Sequence, residues 1–207
     1  MPGAIDFYFD FISPYGYLGA TQIDAIASRH GREVRWRPFL LGVTVMQVMG
    51  LKPLMETPLK ADYVMLDKQR MASLLGVPLA TPDMSGASSV AAARAFYWAH
   101  DRDPAQAVAL ARRLLQRLWV EARPIAAAEA VAEEAAGLGI EPAALLVALR
   151  EPAVKDRLRG EVDACIARGV FGSPFFIVDE QPIWGVDRLW MLEHWLEHGH
   201  WRPVAKG

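Results

Sequence analysis

At 207 residues, 53% of them hydrophobic and 22% charged, the chain can bury a sizeable core, as one large domain or one domain carrying an insertion. A net charge of −2 with dispersed basic residues argues against a nucleic-acid-binding face. Cys165 is the single cysteine, which excludes an intrachain disulfide and an intramolecular dithiol. Met1-Pro2-Gly3 lacks the basic start of a signal peptide, and the longest uncharged stretch, Pro38 to Leu51, is too short for a bilayer and contains Pro and Gly. No membrane association and a cytoplasmic location are the expectations.

In chain order, residues 4 to 10 (AIDFYFD) alternate and are rich in aromatics, as a buried strand does. Pro14 suits a first helical position behind Ser13 as N-cap, and Leu18, Ile23, Ile26 and Ala27 give the helix an apolar face that ends at Gly31. Val34 to Phe39 reads as a second strand, and a β-α-β crossover of this kind predicts a parallel pair. From Pro58 to Ala167 the period is helical throughout. The segments are Lys60 to Leu75, Ser88 to His100, Pro104 to Ala122, Ala126 to Ala136, Pro142 to Arg150 and Val154 to Arg168. Arg112, Arg113 and Arg117 are expected on the wet side of the third of these. Strands return at Phe175 to Val178 and Gln181 to Trp184 as a hairpin, followed by a helix from Arg188 to His198.

The two ends together resemble a thioredoxin arrangement, an α/β fold with a large all-helical insertion. The expected division is a thioredoxin-like domain over 1–57 and 153–207, with an inserted helical domain over 58–152.

Several residues have both a plain and a chemical reading. Ser13 is a helix cap worth about 0.5–2 kcal/mol. The same geometry sets its hydroxyl in the positive end of a helix, where an anion such as a thiolate is stabilised. No His or Lys stands near it in sequence to make it a nucleophile. Ser173-Pro174 is a strand start or, within a thioredoxin-like fold, a cis-proline turn that bares main chain to an extended peptide. Asp187 is a helix cap or a charge partner for a ligand amine. Lys60, Asp67 and Arg70 form a solvated helix face, with Asp67 and Arg70 spaced to pair. His194 and His198 are spaced as a metal pair but signal no third ligand, and a favourable interaction with the helix C-terminus is simpler. Cys165 reads as inert packing.

FYFDFISPYGYLG, PLKADYVMLDKQR, GVFGSPFFIV and WGVDRLWMLEHWL, in this order and spacing, resemble the 2-hydroxychromene-2-carboxylate isomerases. These are grouped with the kappa-class glutathione transferases and, more distantly, the DsbA oxidoreductases. The resemblance implies a thioredoxin fold with a helical insert, glutathione as cofactor, a homodimer, and a small aromatic substrate. It puts the catalytic serine at Ser13, where DsbA relatives carry the first cysteine of C-x-x-C. Glutathione would be held by Lys60, by the main chain at Ser173 before Pro174, and by the Val186-Asp187-Arg188 segment. Leu51 and Val186 depart from relatives that carry an asparagine and a Ser or Asn there, so at Val186 only main-chain bonding remains. Phe39, Met55, Tyr63 and Trp184 are candidates for an apolar substrate wall, with Lys60 or Arg70 for a substrate carboxylate. The implied activity is a glutathione-dependent interconversion of a chromene carboxylate and its open benzylidenepyruvate. A kappa-type transferase or peroxidase, and a non-catalytic thioredoxin-like binding module, are the alternatives.

Overall fold

A computed structural model describes residues 3–202. The elements run β1 (Ile5–Phe9), α1 (Pro14–Arg29), β2 (Val34–Pro38), α2 (Lys60–Leu75), α3 (Val90–His100), α4 (Pro104–Trp119), α5 (Ala128–Ala136), α6 (Pro142–Ala148), α7 (Pro152–Ala167), β3 (Phe175–Val178), β4 (Gln181–Trp184) and α8 (Leu189–His198). The four strands form one sheet in the order β2-β1-β3-β4. β1 and β2 are parallel, as the crossover requires, while β3 runs antiparallel to both β1 and β4. This is the thioredoxin topology, with α2 to α6 entering between its β-α-β and β-β-α halves.

Alternation along β1 divides the core. Phe7 and Phe9 face α1 and the helical block, stacked at 5.0 Å, with Trp36 edge-on to Phe7 at 5.2 Å and Phe176 stacked at 5.5 Å. Full burial of each such ring is worth about 1.5–3 kcal/mol. This face continues without a break into Phe96, Leu110, Leu114 and Trp119, so the helical block and the sheet share one apolar core. On the opposite face Tyr8 joins Phe39, Cys165, Val170, Phe175 and Ile177 in a smaller cluster. Burial pushes the Cys165 thiol up to about 12, which keeps it protonated and inert.

Helix ends follow local chemistry. Pro stands in the first turn of α1, α4, α6 and α7. Asp103 caps α4 by accepting from Ala105 and Gln106 N–H, and Glu141 caps α6 through Ala144 N–H.

The arginine expectation fails at one position. Arg112 is exposed, but Arg117 is buried, donating to Pro124 O and to the carboxylates of Glu133 and Glu134. Periodicity set it on the polar side of α4, and α5 then folds over that side. The stretch between β2 and α2 gave no sequence signal of its own, yet it holds a π-helical turn at Val43–Val48 and a short 3-10 turn at Leu54–Glu56. Among the described residues, no helix is long and apolar enough to cross a membrane and no cluster of His, Cys, Asp and Glu has metal-site geometry.

Candidate active site

Ser13 follows the bend after β1 and caps α1, its Oγ accepting from Gly16 N–H at 3.1 Å. The same hydroxyl donates to the carbonyl of Ser173 at 3.2 Å. Ser173-Pro174 is cis, so the sequence expectation of a cis-proline turn holds. Ser173 Oγ in turn accepts from Asp10 N–H at 2.9 Å. Two serines 160 residues apart in sequence thus tie the start of α1 to the entry of β3.

Glycines make this approach possible. A Cβ on Gly16 would stand 2.6 Å from Ser173 Oγ and 2.9 Å from Asp10 O, and one on Gly19 would stand 2.9 Å from Pro174 Cβ. Pro174 O accepts from Gly185 N–H at 3.0 Å, which brings the Val186–Arg188 turn beside the cis-proline. Gly185 has φ +100, and Asp187 folds back so closely that a Cβ there would meet its Oδ1 at 2.3 Å.

The first turn of α1 has the make-up of an anion seat. Pro14 has no N–H, Gly16 N–H goes to Ser13 Oγ and Tyr17 N–H to Ser13 O. That leaves the Tyr15 N–H with no acceptor among the described residues, at the positive end of a helix. The phenol of Tyr15 reaches across to α2, donating to Asp67 Oδ2 at 2.6 Å, while Tyr63 donates to Oδ1 at 3.2 Å. Burial, then the Asp67 carboxylate, then the more remote charges of Tyr63 and Asp187 push the Tyr15 pKa far above the ordinary phenol value. Asp67 therefore serves two tyrosines, where an Asp67–Arg70 pair was expected.

Beneath Ser13 lies Asp10, fully buried. Burial raises its pKa, against hydrogen bonds from Ser89, Leu41 N–H and Ile12 N–H. Its carboxylate fastens the loop after β2 and the start of α3 to the end of β1.

Of the residues singled out from sequence, Ser13, Ser173, Pro174, Val186, Asp187 and Arg188 lie in this hydrogen-bonded region. Val186 buries its side chain. Asp187 caps no helix: it pairs with Arg188 at 3.1 Å. Trp184 lies over Gly172, where a Cβ would fall 2.2 Å from the indole nitrogen, and packs on Phe171 with ring centroids 4.9 Å apart. Tyr63 stands at the edge of the site through Asp67, and Met55 is exposed in the turn before α2. Lys60 and Arg70 are exposed on α2. Phe39 does not belong to a substrate wall: it is 1% exposed, in the cluster on the α7 face of the sheet. Tyr15, Gly172 and Asp10 went unrecognised, although the tyrosine directly after Ser13-Pro14 and the glycine directly before Ser173-Pro174 were readable signals.

Comparison with known proteins agrees with this geometry. Residues 4–197 match the family model of the DSBA-like thioredoxin domain. The chain belongs to this family. A 2-hydroxychromene-2-carboxylate isomerase of Sphingobium xenophagum is 32% identical over 200 residues, covering 95% of this chain and 99% of that one. A solved structure of a 2-hydroxychromene-2-carboxylate isomerase superposes with a TM-score of 0.85 at 30% identity, covering 94% of both chains. The kappa 2 glutathione transferase of Caenorhabditis elegans is 28% identical, covering 89% of this chain and 88% of that one. Within the DSBA-like proteins the chain is thus an enzyme related along nearly its full length to isomerases.

Proposed function

We propose that the chain is a glutathione-dependent isomerase interconverting a 2-hydroxychromene-2-carboxylate-type acid and its open benzylidenepyruvate. The observation that carries this reading is a serine, not a cysteine, at the anion seat of α1, hydrogen-bonded to the residue before the cis-proline. The remaining thiol, Cys165, is buried in the small cluster on the α7 face of the sheet, so a reactive sulfur at Ser13 has to come from a ligand. The seat fits one. Among the described residues the Tyr15 N–H has no acceptor, the Ser13 hydroxyl can turn from Ser173 O towards an anion, and the main chain of Ser173 and Val186 would pair with an extended peptide.

Glutathione, held by the residues named above, would supply a thiolate able to add reversibly to the conjugated acid, which would free rotation about its double bond. The chain's own residues do the rest. Ser13 Oγ and the Tyr15 N–H hold negative charge at the helix end, keeping a thiol ionised below its ordinary pKa of about 8.5. Asp187, exposed in the turn that Gly185 N–H ties to Pro174 O, would take a γ-glutamyl amine, and the exposed Trp184 would serve as an aromatic wall.

The test is glutathione added to a chromene carboxylate, followed by absorbance and mass. Turnover with glutathione undiminished supports the isomerase. A stable conjugate replaces it with the kappa-type transferase, and no glutathione binding by calorimetry leaves a non-catalytic module.

A further inference from the structure

Lys68 has no part in the chemistry above, yet it is 5% exposed on the inward stripe of α2, between Val64 one turn before it and Ala72 one turn after. Ala72 belongs to the main core. Lysine is seldom buried unless its charge is paired, and two other buried charges of the chain are paired. Buried Arg117 meets Glu133 and Glu134, and buried Asp6 meets Arg37 and Arg168. Among the described residues Lys68 makes no ion pair and no hydrogen bond, and burial alone acts on its ammonium, lowering its pKa. An apolar side chain of similar length would suit this stripe better. The stem is buried, but the Nζ is not among the polar atoms sealed from water, so an unpartnered amine reaches the surface from an apolar stripe.

Its position supplies a reason. The preceding residue, Asp67, is clamped at 2.6 Å to the phenol of Tyr15, which stands in the turn of α1 capped by Ser13. Adjacent Cα atoms lie about 3.8 Å apart, so Lys68 is fixed in the part of α2 that leans on the anion seat. Its stripe is apolar. A planar aromatic acid needs apolar surface for its ring and one cation for its carboxylate. Lys60 and Arg70 are exposed, where a carboxylate contact is worth little.

We infer that Lys68 receives the carboxylate of the aromatic substrate, and that through it the site selects 2-oxo and 2-hydroxy acids over their neutral analogues. This rests on the isomerase reading. An arriving carboxylate gives the amine the partner the fold withholds, whereas an ester offers it no charge to pair with. The pairing also fixes the conjugated chain relative to the Ser13 end of α1.

The test needs no turnover. Benzylidenepyruvate and its methyl ester are titrated against the wild type, Lys68→Met and Lys68→Arg by tryptophan fluorescence, with glutathione titrated separately by calorimetry. Lys68→Met is expected to weaken acid binding about thirtyfold or more and to leave the ester and glutathione unchanged. Lys68→Arg should keep most of the preference for acid over ester. Equal affinity of Lys68→Met and wild type for the acid overturns the assignment, as does equal loss of acid and ester. A loss confined to glutathione also overturns it, giving the amine to the tripeptide's carboxylate instead. A wild type that binds neither acid nor ester sinks the substrate reading itself, a result distinct from all of these.

Discussion

The hydroxyl of Ser13 donates to the carbonyl of Ser173 at 3.2 Å, so the cap of α1 and the residue before the cis-proline hold each other in place. The one group thus has two roles: Oγ caps Gly16 N–H, and its proton, held by Ser173 O, is the one the proposed thiolate would take.

Ser13→Ala separates them. Loss of the cap is expected to cost about 1 kcal/mol of stability, read as a lower melting temperature. Loss of a hydrogen bond to a charged sulfur costs about 1.5–3 kcal/mol more in the bound state, a tenfold to hundredfold fall in turnover. Titrating the thiolate absorbance of bound glutathione should show its pKa raised in the variant. An unchanged pKa and turnover would leave Ser13 a cap and nothing else.

Two glycine substitutions should move in opposite directions. In Gly16→Ala the new methyl meets Ser173 Oγ at 2.6 Å and Asp10 O at 2.9 Å, the second being main chain that cannot rotate away. A loss of about 1–3 kcal/mol is expected, with activity falling further because the Ser13–Ser173 contact is displaced. Gly160 lies within α7, and a methyl added there would meet nothing within 4 Å, so Gly160→Ala should gain about 0.5–1 kcal/mol. Chemical denaturation of the two variants reads both signs.

Much of this was legible in sequence because it is local. Alternation gives β1, Ser13-Pro14 gives the start of α1, and Ser173-Pro174 gives the entry to β3, each resting on neighbours in the chain. Asp67 misled because spacing along a helix offers Arg70 as its partner, while the actual partner, Tyr15, lies 52 residues away. Arg117 misled for the same reason, since periodicity cannot say which polar face another helix will cover. Phe39 ends an alternating strand, and its assignment to a substrate wall failed because the face it joins depends on where α7 packs. Val43–Val48 has no helix signal, and its π-helical turn follows a loop that Asp10, distant in sequence, fastens through Leu41 N–H.

Asp6 governs part of the response to acid. Burial pulls its pKa up, but hydrogen bonds from Arg37 at 2.7 Å and Arg168 at 2.5 Å win, and the carboxyl sits below its ordinary value. A depressed carboxyl binds fewer protons folded than unfolded. Its contribution is therefore complete above the unfolded value of about 3.9 and is lost as pH falls through the folded one. Asp6→Asn should lower stability at pH 7 by about 1–3 kcal/mol. It should also flatten the decline of stability below pH 4, measured by urea unfolding across pH.

Tyr15 governs part of the response to alkali, with the opposite sign. Burial first, and then the hydrogen bond to Asp67, make the fold hold the phenol proton more tightly than the unfolded chain does. The stabilisation is complete below the unfolded value of about 10 and is lost as pH rises through the folded one. Tyr15→Phe should therefore cost about 1–2 kcal/mol at pH 7 and make stability fall less steeply above pH 10. Tyr17 and Tyr97, also raised by burial, leave a residual slope. The functional effect is expected on binding more than on chemistry. Asp67 keeps only the longer bond from Tyr63, so α2 loosens against the first turn of α1, while Ser13 and the Tyr15 N–H stay in place. A KM for the aromatic acid raised several-fold with kcat changed less than twofold fits this linkage. An equal fall in kcat at unchanged KM would instead put the phenol in contact with the reacting atoms.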